Sequence, residues 1–237
     1  MAGILMMRAR GVAVTPSAVP DAVGIAVFAK APVAGLAKTR LAPALGLRGA
    51  ARLQRHLTLR ALSTAYSAAL GPVSLWCAPN ASHRFFRALR LRCDLPCHEQ
   101  RGATLGERMA AAFHQLLPCR PLLLIGTDCP TLTADHLRAA AAALQAVEAA
   151  FYPAVDGGYV LIGLRCLHAD LFRAIPWSTD RVMQQTRWRL EALGWSWWEG
   201  ETLHDIDEVG DLVSLPQALR PHRVSRGPRV DRALGPA

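Results

Sequence analysis

The strongest constraint on this chain is a repeated alternation of short apolar runs with longer segments of helical periodicity. Gly24-Ile25-Ala26-Val27-Phe28-Ala29, Val73-Ser74-Leu75-Trp76-Cys77-Ala78 and Pro121-Leu122-Leu123-Leu124-Ile125-Gly126 carry no charge and little or no polar alternation. A strand with one wet face alternates apolar with polar side chains, so an unbroken apolar run reads as a strand covered on both faces. Between the first two runs, Leu53, Leu57, Ala61, Leu62, Ala65 and Ala69 recur at helical spacing. Arg48, Arg52, Arg55 and Arg60 occupy the remaining surface, which predicts a long amphipathic helix over Leu47–Leu70, ended by Gly71-Pro72. Strands alternating with helices in this way specify a three-layer α/β/α domain with a mostly parallel central sheet.

Further along, the spacing predicts helices over Ser82–Leu91, Thr104–Leu117 and Thr133–Val147, and strands over Ala149–Val155 and Gly158–Leu164. Helices over Leu167–Ala174 and Thr179–Leu193, an aromatic strand at Trp195–Trp198 and a last helix after Asp207 complete the expected core. Thr104 followed by Glu107 has the spacing of a capping box, in which hydroxyl and carboxylate satisfy each other's free amides. The domain is expected to span 23–215. Residues 1–22 read as a loose leader, and 216–237, with five arginines and few apolar residues, as a basic, poorly ordered tail.

Charge and cysteine content narrow the function classes. The 237 residues carry 27 Lys and Arg against 18 Asp and Glu, a formal charge of +9. Residues 1–22 account for +1 of it and residues 216–237 for +4, which leaves +4 in the core. Part of that remainder is Lys30, Lys38 and Arg40 on one loop, so the charge points to a phosphorylated small molecule rather than to a nucleic acid. No apolar run approaches the roughly 18 to 20 residues that a spanning helix needs. The six cysteines include no C-x-x-C pair and no histidine spaced to complete a zinc site, so they read as free thiols in a cytoplasmic protein.

In open α/β sheets ligands bind beyond the carboxyl ends of the strands, so the loops that leave the strands are the candidate site. The first loop, Lys30 to Pro43, contains Gly35, Lys38 and Arg40. Backbone amides, an ammonium and a forked guanidinium are what a di- or triphosphate requires, although a solvated basic loop would look the same. It lacks the spacing of a Walker A loop. The second loop, Gly126-Thr127-Asp128-Cys129-Pro130, offers a carboxylate at the end of the most apolar strand, suited to a hard divalent cation or to capping the next helix. Thr131 or Thr133 is nearer that helix start. In the third, Asp205 and Asp207 share a face if the segment is extended; one could complete the cation site, or Asp207 could cap the last helix. Asp156-Gly157-Gly158 fits either a backbone that clears a ligand or an ordinary hairpin turn. Trp177-Ser178-Thr179 suits an acceptor-side lip or a helix cap, and the Trp195, Trp197, Trp198 group suits packing better than ligand stacking.

Taken in order, these motifs resemble a known bacterial family. They are Phe28-Ala29-Lys30-Ala31-Pro32 with Gly35, Lys38-Thr39-Arg40-Leu41-Ala42-Pro43, Gly102, Leu105-Gly106-Glu107-Arg108-Met109, Gly126-Thr127-Asp128-Cys129-Pro130, Asp156-Gly157-Gly158-Tyr159, Trp177-Ser178-Thr179 and Asp205-Ile206-Asp207. The chain is similar over about Val23 to Leu215 to the radical-SAM/selenodomain-associated transferases. These are GT-A-like proteins related to 2-phospho-lactate guanylyltransferase and to the molybdenum-cofactor nucleotidylyltransferases. The resemblance implies a nucleotide-diphospho-sugar transferase fold, with nucleotide contacts from Lys30, Pro32, Gly35, Lys38, Arg40, Gly102, Thr127, Gly157 and Gly158. It also implies a catalytic set of Lys38, Arg40 and Asp128, with Mg²⁺ or Mn²⁺ on Asp128 and Asp207, Asp205 being the substitute. One departure stands out: the family reads Gly-Asp-Leu-Gly-Glu-Arg before its third helix, and here the Asp position is Thr104.

Two reactions follow as expectations. The first is transfer of a glycosyl group from a nucleotide-diphospho-sugar to a small acceptor, which the sequence does not identify. The second is nucleotidyl transfer from a triphosphate with release of pyrophosphate, which Lys38 and Arg40 together suit. A nucleotide-binding protein without turnover would carry the same residues.

Overall fold

The apolar runs lie side by side in a single sheet. The computed structural model describes residues 22–117, 120–216 and 219, so nearly all of the expected leader and of the expected tail lies outside the described residues. The strands are β1 (Gly24–Lys30), β2 (Val73–Ala78), β3 (Cys97–Glu99), β4 (Leu122–Ile125), β5 (Ala149–Pro153), β6 (Tyr159–Leu164) and β7 (Trp197–Glu199). They are ordered β3-β2-β1-β4-β6-β5-β7. β6 runs antiparallel to both its neighbours, and every other pairing is parallel. The α-helices are α1 (Ala42–Ala68), α2 (Arg84–Cys93), α3 (Leu105–Leu116), α4 (Ala134–Ala143) and α5 (Val182–Ala192).

The lack of alternation in the strand sequences has its explanation in the two cores. Ile25, Val27 and Ala29 of β1, with Leu123 and Ile125 of β4, pack against Leu62 and Ala65 of α1, Phe85 and Phe86 of α2 and Leu137 of α4. The intervening Ala26, Phe28, Leu122 and Leu124 face the other way, onto Met109 and Phe113 of α3 and Met183 and Leu190 of α5. Both faces of the sheet are dry, which is the three-layer arrangement the sequence implies.

Several boundaries differ from expectation for local reasons. Gly46 adopts φ 69, ψ 162 and interrupts α1, so the long helix runs on from where Leu47 was expected to start it, with one extra turn before the kink. Its end is not set by Gly71: Ala69 takes the left-handed conformation that closes the helix. Gly71 has no side chain because a Cβ there would lie 2.6 Å from the Val23 carbonyl oxygen. β3 is a three-residue edge strand without the apolar pattern that would announce it. The expected helix over Leu167–Ala174 is only a 3-10 turn, Ala169–Leu171. That over Thr179–Leu193 starts later, at Val182, because the Thr179 hydroxyl donates back to the Pro176 carbonyl and closes a separate turn. The last helix is a 3-10 segment, Val209–Ser214, with the Glu208 amide donating to Asp211 Oδ2 at 2.7 Å. Asp207 therefore does not cap it. At Thr104 the hydroxyl accepts from the Glu107 amide, but Glu107 Oε2 accepts from the Ala103 amide instead of completing the box on Thr104.

Candidate active site

Three loops meet beyond the carboxyl ends of β1 and β4, and packing brings the third of them back from the end of the chain. Leu41, Leu53 and Leu57 form a small core with Ile206 and Leu215, which pins the segment around 204–207 to the first half of α1. The Ile206 amide then donates to the Asp128 carbonyl at 2.9 Å, and the Val155 amide to the Leu203 carbonyl at 3.0 Å. Thr133 caps α4 by accepting from the His136 amide, so Asp128 is not consumed as a helix cap.

Lys38 stands at the centre. Its side chain is only 5% exposed, and its Nζ lies 2.7 Å from Asp128 Oδ1 and 2.7 Å from Asp207 Oδ1. The ammonium also donates to the Ile206 carbonyl at 2.6 Å. Its backbone sits at φ 48, ψ 45, a left-handed conformation that a residue with a Cβ adopts at a cost, here offset by three contacts at the ammonium. Burial alone would pull the Lys38 ammonium down. The charges of Asp128 and Asp207, with the hydrogen bonds to them, outweigh it and hold the group above its ordinary value.

Asp205 lies behind this pair. Burial, then the charges of Asp156, Asp207 and Asp128, push its carboxyl up to about 7 against the opposing pull of Lys38. Its Oδ1 is buried without a hydrogen-bond partner among the described residues. Two carboxylates thus meet the ammonium directly, and Asp205 stands within reach of their charges. Half-exposed Asp128 and Asp207 are the hard oxygen donors that Mg²⁺ or Mn²⁺ takes, and the orphaned Asp205 oxygen is a third acceptor nearby. The donor atoms are of the kind a divalent ion takes, and Lys38 Nζ occupies the space between them. With Lys38 between the acids, no group of three or more His, Cys, Asp or Glu among the described residues is arranged to hold one.

Several of the remaining sequence-derived residues have partners of their own outside the Lys38 cluster. Arg40 is exposed at the rim, 3.7 Å from Glu208 Oε1. Lys30 is exposed at the end of β1, and Pro32 follows it at the start of the loop. Gly35, at φ 84, faces open space, so a ligand can approach its backbone. Thr127 is buried with its hydroxyl turned inward, accepting from Gln54 Nε2 at 3.0 Å. Gly102 lies at the entrance to α3, where its carbonyl accepts from Arg108 Nε. Gly157 is crowded: a Cβ would lie 2.1 Å from the Asp180 carbonyl oxygen, so its missing side chain serves contact with the protein itself. Gly158 donates its amide to Asp156 Oδ1 at 2.9 Å, closing the β5–β6 turn. Trp198 packs edge-on against Tyr152 and Trp195 against His168, as expected of a packing cluster.

Two contributors escaped the sequence reading. Gln54, buried on α1, ties that helix to the loop of Asp128, and a polar residue between Leu53 and Leu57 on an otherwise apolar face was its signal. Asp156, read as a turn residue, also acts on Asp205 by its charge.

Residues 60–179 match a family described as an uncharacterized protein conserved in bacteria, DUF2064. The chain is a DUF2064 protein. No curated protein sequence matches it. Among solved structures, this DUF2064 chain is similar to a protein of Desulfovibrio desulfuricans G20 provisionally named a nucleotide-diphospho-sugar transferase. The two are 27% identical with a TM-score of 0.76, over 86% of this chain and 90% of that one. A nucleotidyl transferase from Methanothermobacter thermautotroptrophicus shares the fold at 14% identity and a TM-score of 0.55, covering 83% and 97% of the two chains. So does 4-diphosphocytidyl-2C-methyl-D-erythritol synthase from Anaerococcus prevotii, at 12% identity and 0.51, covering 80% and 92%. The DUF2064 chain therefore has the fold of that nucleotide-diphospho-sugar transferase, a fold also found in nucleotidyl and cytidyl transferases.

Proposed function

We propose that this protein transfers a glycosyl group from a nucleotide-diphospho-sugar to a small acceptor, with Mg²⁺ or Mn²⁺ held by Asp128 and Asp207. The observation that carries the reading is the Lys38 ammonium set between those two carboxylates beyond the sheet's carboxyl ends. Two acids around one cation form a place that a divalent ion could share: Asp128 and Asp207 would hold the ion, and Lys38 would then be free to contact phosphate oxygens. When bound, the ion would neutralise charge developing on the leaving diphosphate. Lys38 and Arg40 bind and orient the phosphate oxygens, with open Gly35 letting them approach the loop backbone. Asp205 provides a further acceptor beside the pair. The similarity to the D. desulfuricans protein supports the donor class, and the motif set supports the narrower kinship with radical-SAM/selenodomain-associated transferases.

Nucleotidyl transfer is the second reading, favoured by the cations Lys30, Lys38 and Arg40 on a single loop and by the fold shared with nucleotidyl and cytidyl transferases. Incubation with each nucleoside triphosphate and nucleotide-sugar in the presence of Mn²⁺ separates the two. Nucleoside diphosphate release supports glycosyl transfer, and pyrophosphate release supports the alternative. Absence of any thermal stabilisation by either ligand class, with or without Mn²⁺, would sink both.

A further inference from the structure

The charge of this protein is segregated along the chain and, through the fold, onto one surface. From Ala22 to Cys93 there are eleven Lys and Arg and not one Asp or Glu, whereas from Asp94 to Leu215 there are nine Arg and sixteen acids. α1 and α2, which carry most of these cations, share the layer on one face of the sheet. Arg55 of α1 lies over the Phe85 ring of α2 at 5.6 Å. Both helices pack onto the same core, Leu62 and Ala65 from α1 and Phe85, Phe86 and Leu89 from α2.

Their outward faces mix cations with apolar groups. Arg52, Arg55, Leu59 and Tyr66 fall on one stripe of α1, and Arg84, Arg87 and Leu91 on one stripe of α2, at helical spacings of three, four and seven. All are solvent-exposed, Leu91 at 76% and Tyr66 at 50%. No arginine of α1 or α2 enters an ion pair among the described residues. A solvated basic face has no need of exposed leucines, and a nucleic-acid phosphate backbone offers them nothing to enter. An anionic bilayer accepts both: headgroups pair with the guanidiniums while leucine and tyrosine side chains sink to the acyl boundary.

We infer that the α1–α2 face docks this protein peripherally on an anionic lipid surface. Attachment of this kind needs no spanning element, and no described helix is long and apolar enough to cross a membrane.

The test is co-sedimentation of the full chain with vesicles of phosphatidylcholine alone and of a phosphatidylcholine/phosphatidylglycerol mixture, at low and high salt. Binding is expected only to the mixed vesicles and is expected to weaken with salt. Arg52→Gln with Arg87→Gln lowers partitioning by about fivefold per charge removed. Leu91→Ser lowers it without changing the salt dependence. All these side chains are exposed, so unchanged thermal melting verifies that the variants are folded. Failure of the wild-type chain to bind mixed vesicles overturns the inference. So does undiminished binding of the double arginine variant, which would place attachment elsewhere on the chain. Displacement of the vesicles by a mixed-sequence DNA duplex would also overturn it, by assigning the face to nucleic acid.

Discussion

Lys38 Nζ and Asp207 Oδ1 lie 2.7 Å apart although 169 positions separate them in sequence. Because Asp128 meets the same ammonium at 2.7 Å, removing that one charge leaves two carboxylates facing each other with no counter-ion. Lys38→Met should therefore raise the affinity for Mn²⁺ in the absence of nucleotide by about tenfold, the equivalent of roughly 1.4 kcal/mol. It should at the same time lower turnover by about a hundredfold, through loss of a cation on the leaving phosphate. Titration of Mn²⁺ into wild type and variant by calorimetry, beside a turnover assay, reads both. Equal Mn²⁺ affinity in the two proteins would show that the ammonium and the ion do not share a place.

The two acids of the 205–207 segment should separate in their effects. Asp207 touches Lys38 directly, whereas Asp205 Oδ1 is buried behind it without a hydrogen bond. Asp207→Asn should abolish Mn²⁺-dependent nucleotide binding, as Asp128→Asn should. Asp205→Asn should keep it within about threefold, since Mg²⁺ and Mn²⁺ sites of this kind use one or two protein carboxylates. Equilibrium binding of a fluorescent nucleotide with and without Mn²⁺ distinguishes them. A complete loss in Asp205→Asn alone would exchange their roles.

The layers of the fold and the three site loops were legible for one reason: each rests on local pattern. Unbroken apolar runs report burial on two faces, and strand ends in a parallel sheet point to where a candidate site lies. The meeting of Lys38 with Asp207 was not legible, because it depends on Ile206 and Leu215 packing onto Leu53 and Leu57, a contact between distant segments. The sequence suggested Lys38 as a phosphate ligand; in the described structure it is the partner of the acids. Gly157 fits either a ligand-clearing backbone or an ordinary hairpin turn in the sequence, and only the fold brings the Asp180 backbone against it. The short edge strand β3 and the 3-10 turns carry too few residues for periodicity to register.

Gly35 and Gly157 should respond differently to the same substitution. Both have positive φ, 84 and 87, so an added Cβ strains either backbone by about 1 to 2 kcal/mol. Gly35 faces open space, and nothing more is added there. At Gly157 the Cβ would also meet the Asp180 carbonyl oxygen at 2.1 Å, which forces the turn away from the 177–181 loop. Gly157→Ala should lower the melting temperature well beyond Gly35→Ala, by about 5 °C or more, given 2 to 4 °C per kcal/mol in a domain of this size. Gly35→Ala should instead weaken nucleotide binding. Equal melting temperatures for the two variants would contradict the packing described for the β5–β6 turn.

Acid sensitivity should reside partly in the pair that anchors the edge strand β7. Arg187 of α5 donates from Nε and Nη2 to the two oxygens of Glu199, at 2.8 and 2.7 Å, and Trp197 Nε1 adds a third bond at 2.7 Å. Burial alone would raise the Glu199 carboxyl, but the Arg187 and Trp197 hydrogen bonds and the Arg187 charge hold it below its ordinary value. A carboxyl depressed by folding contributes stability that is fully present above its unfolded value, about 4.3, and is lost as pH falls through the folded one. With Glu199 24% and Arg187 41% exposed, solvent screening limits the pair to about 1 kcal/mol, or about 2 to 4 °C. Glu199→Gln should thus melt a few degrees below wild type at neutral pH, and the gap should close as pH falls below about 4. Thermal melts of both proteins across that range provide the measurement. A gap that stays constant into acid would mean that Glu199 stabilises β7 by packing and neutral hydrogen bonds, with its charge contributing nothing.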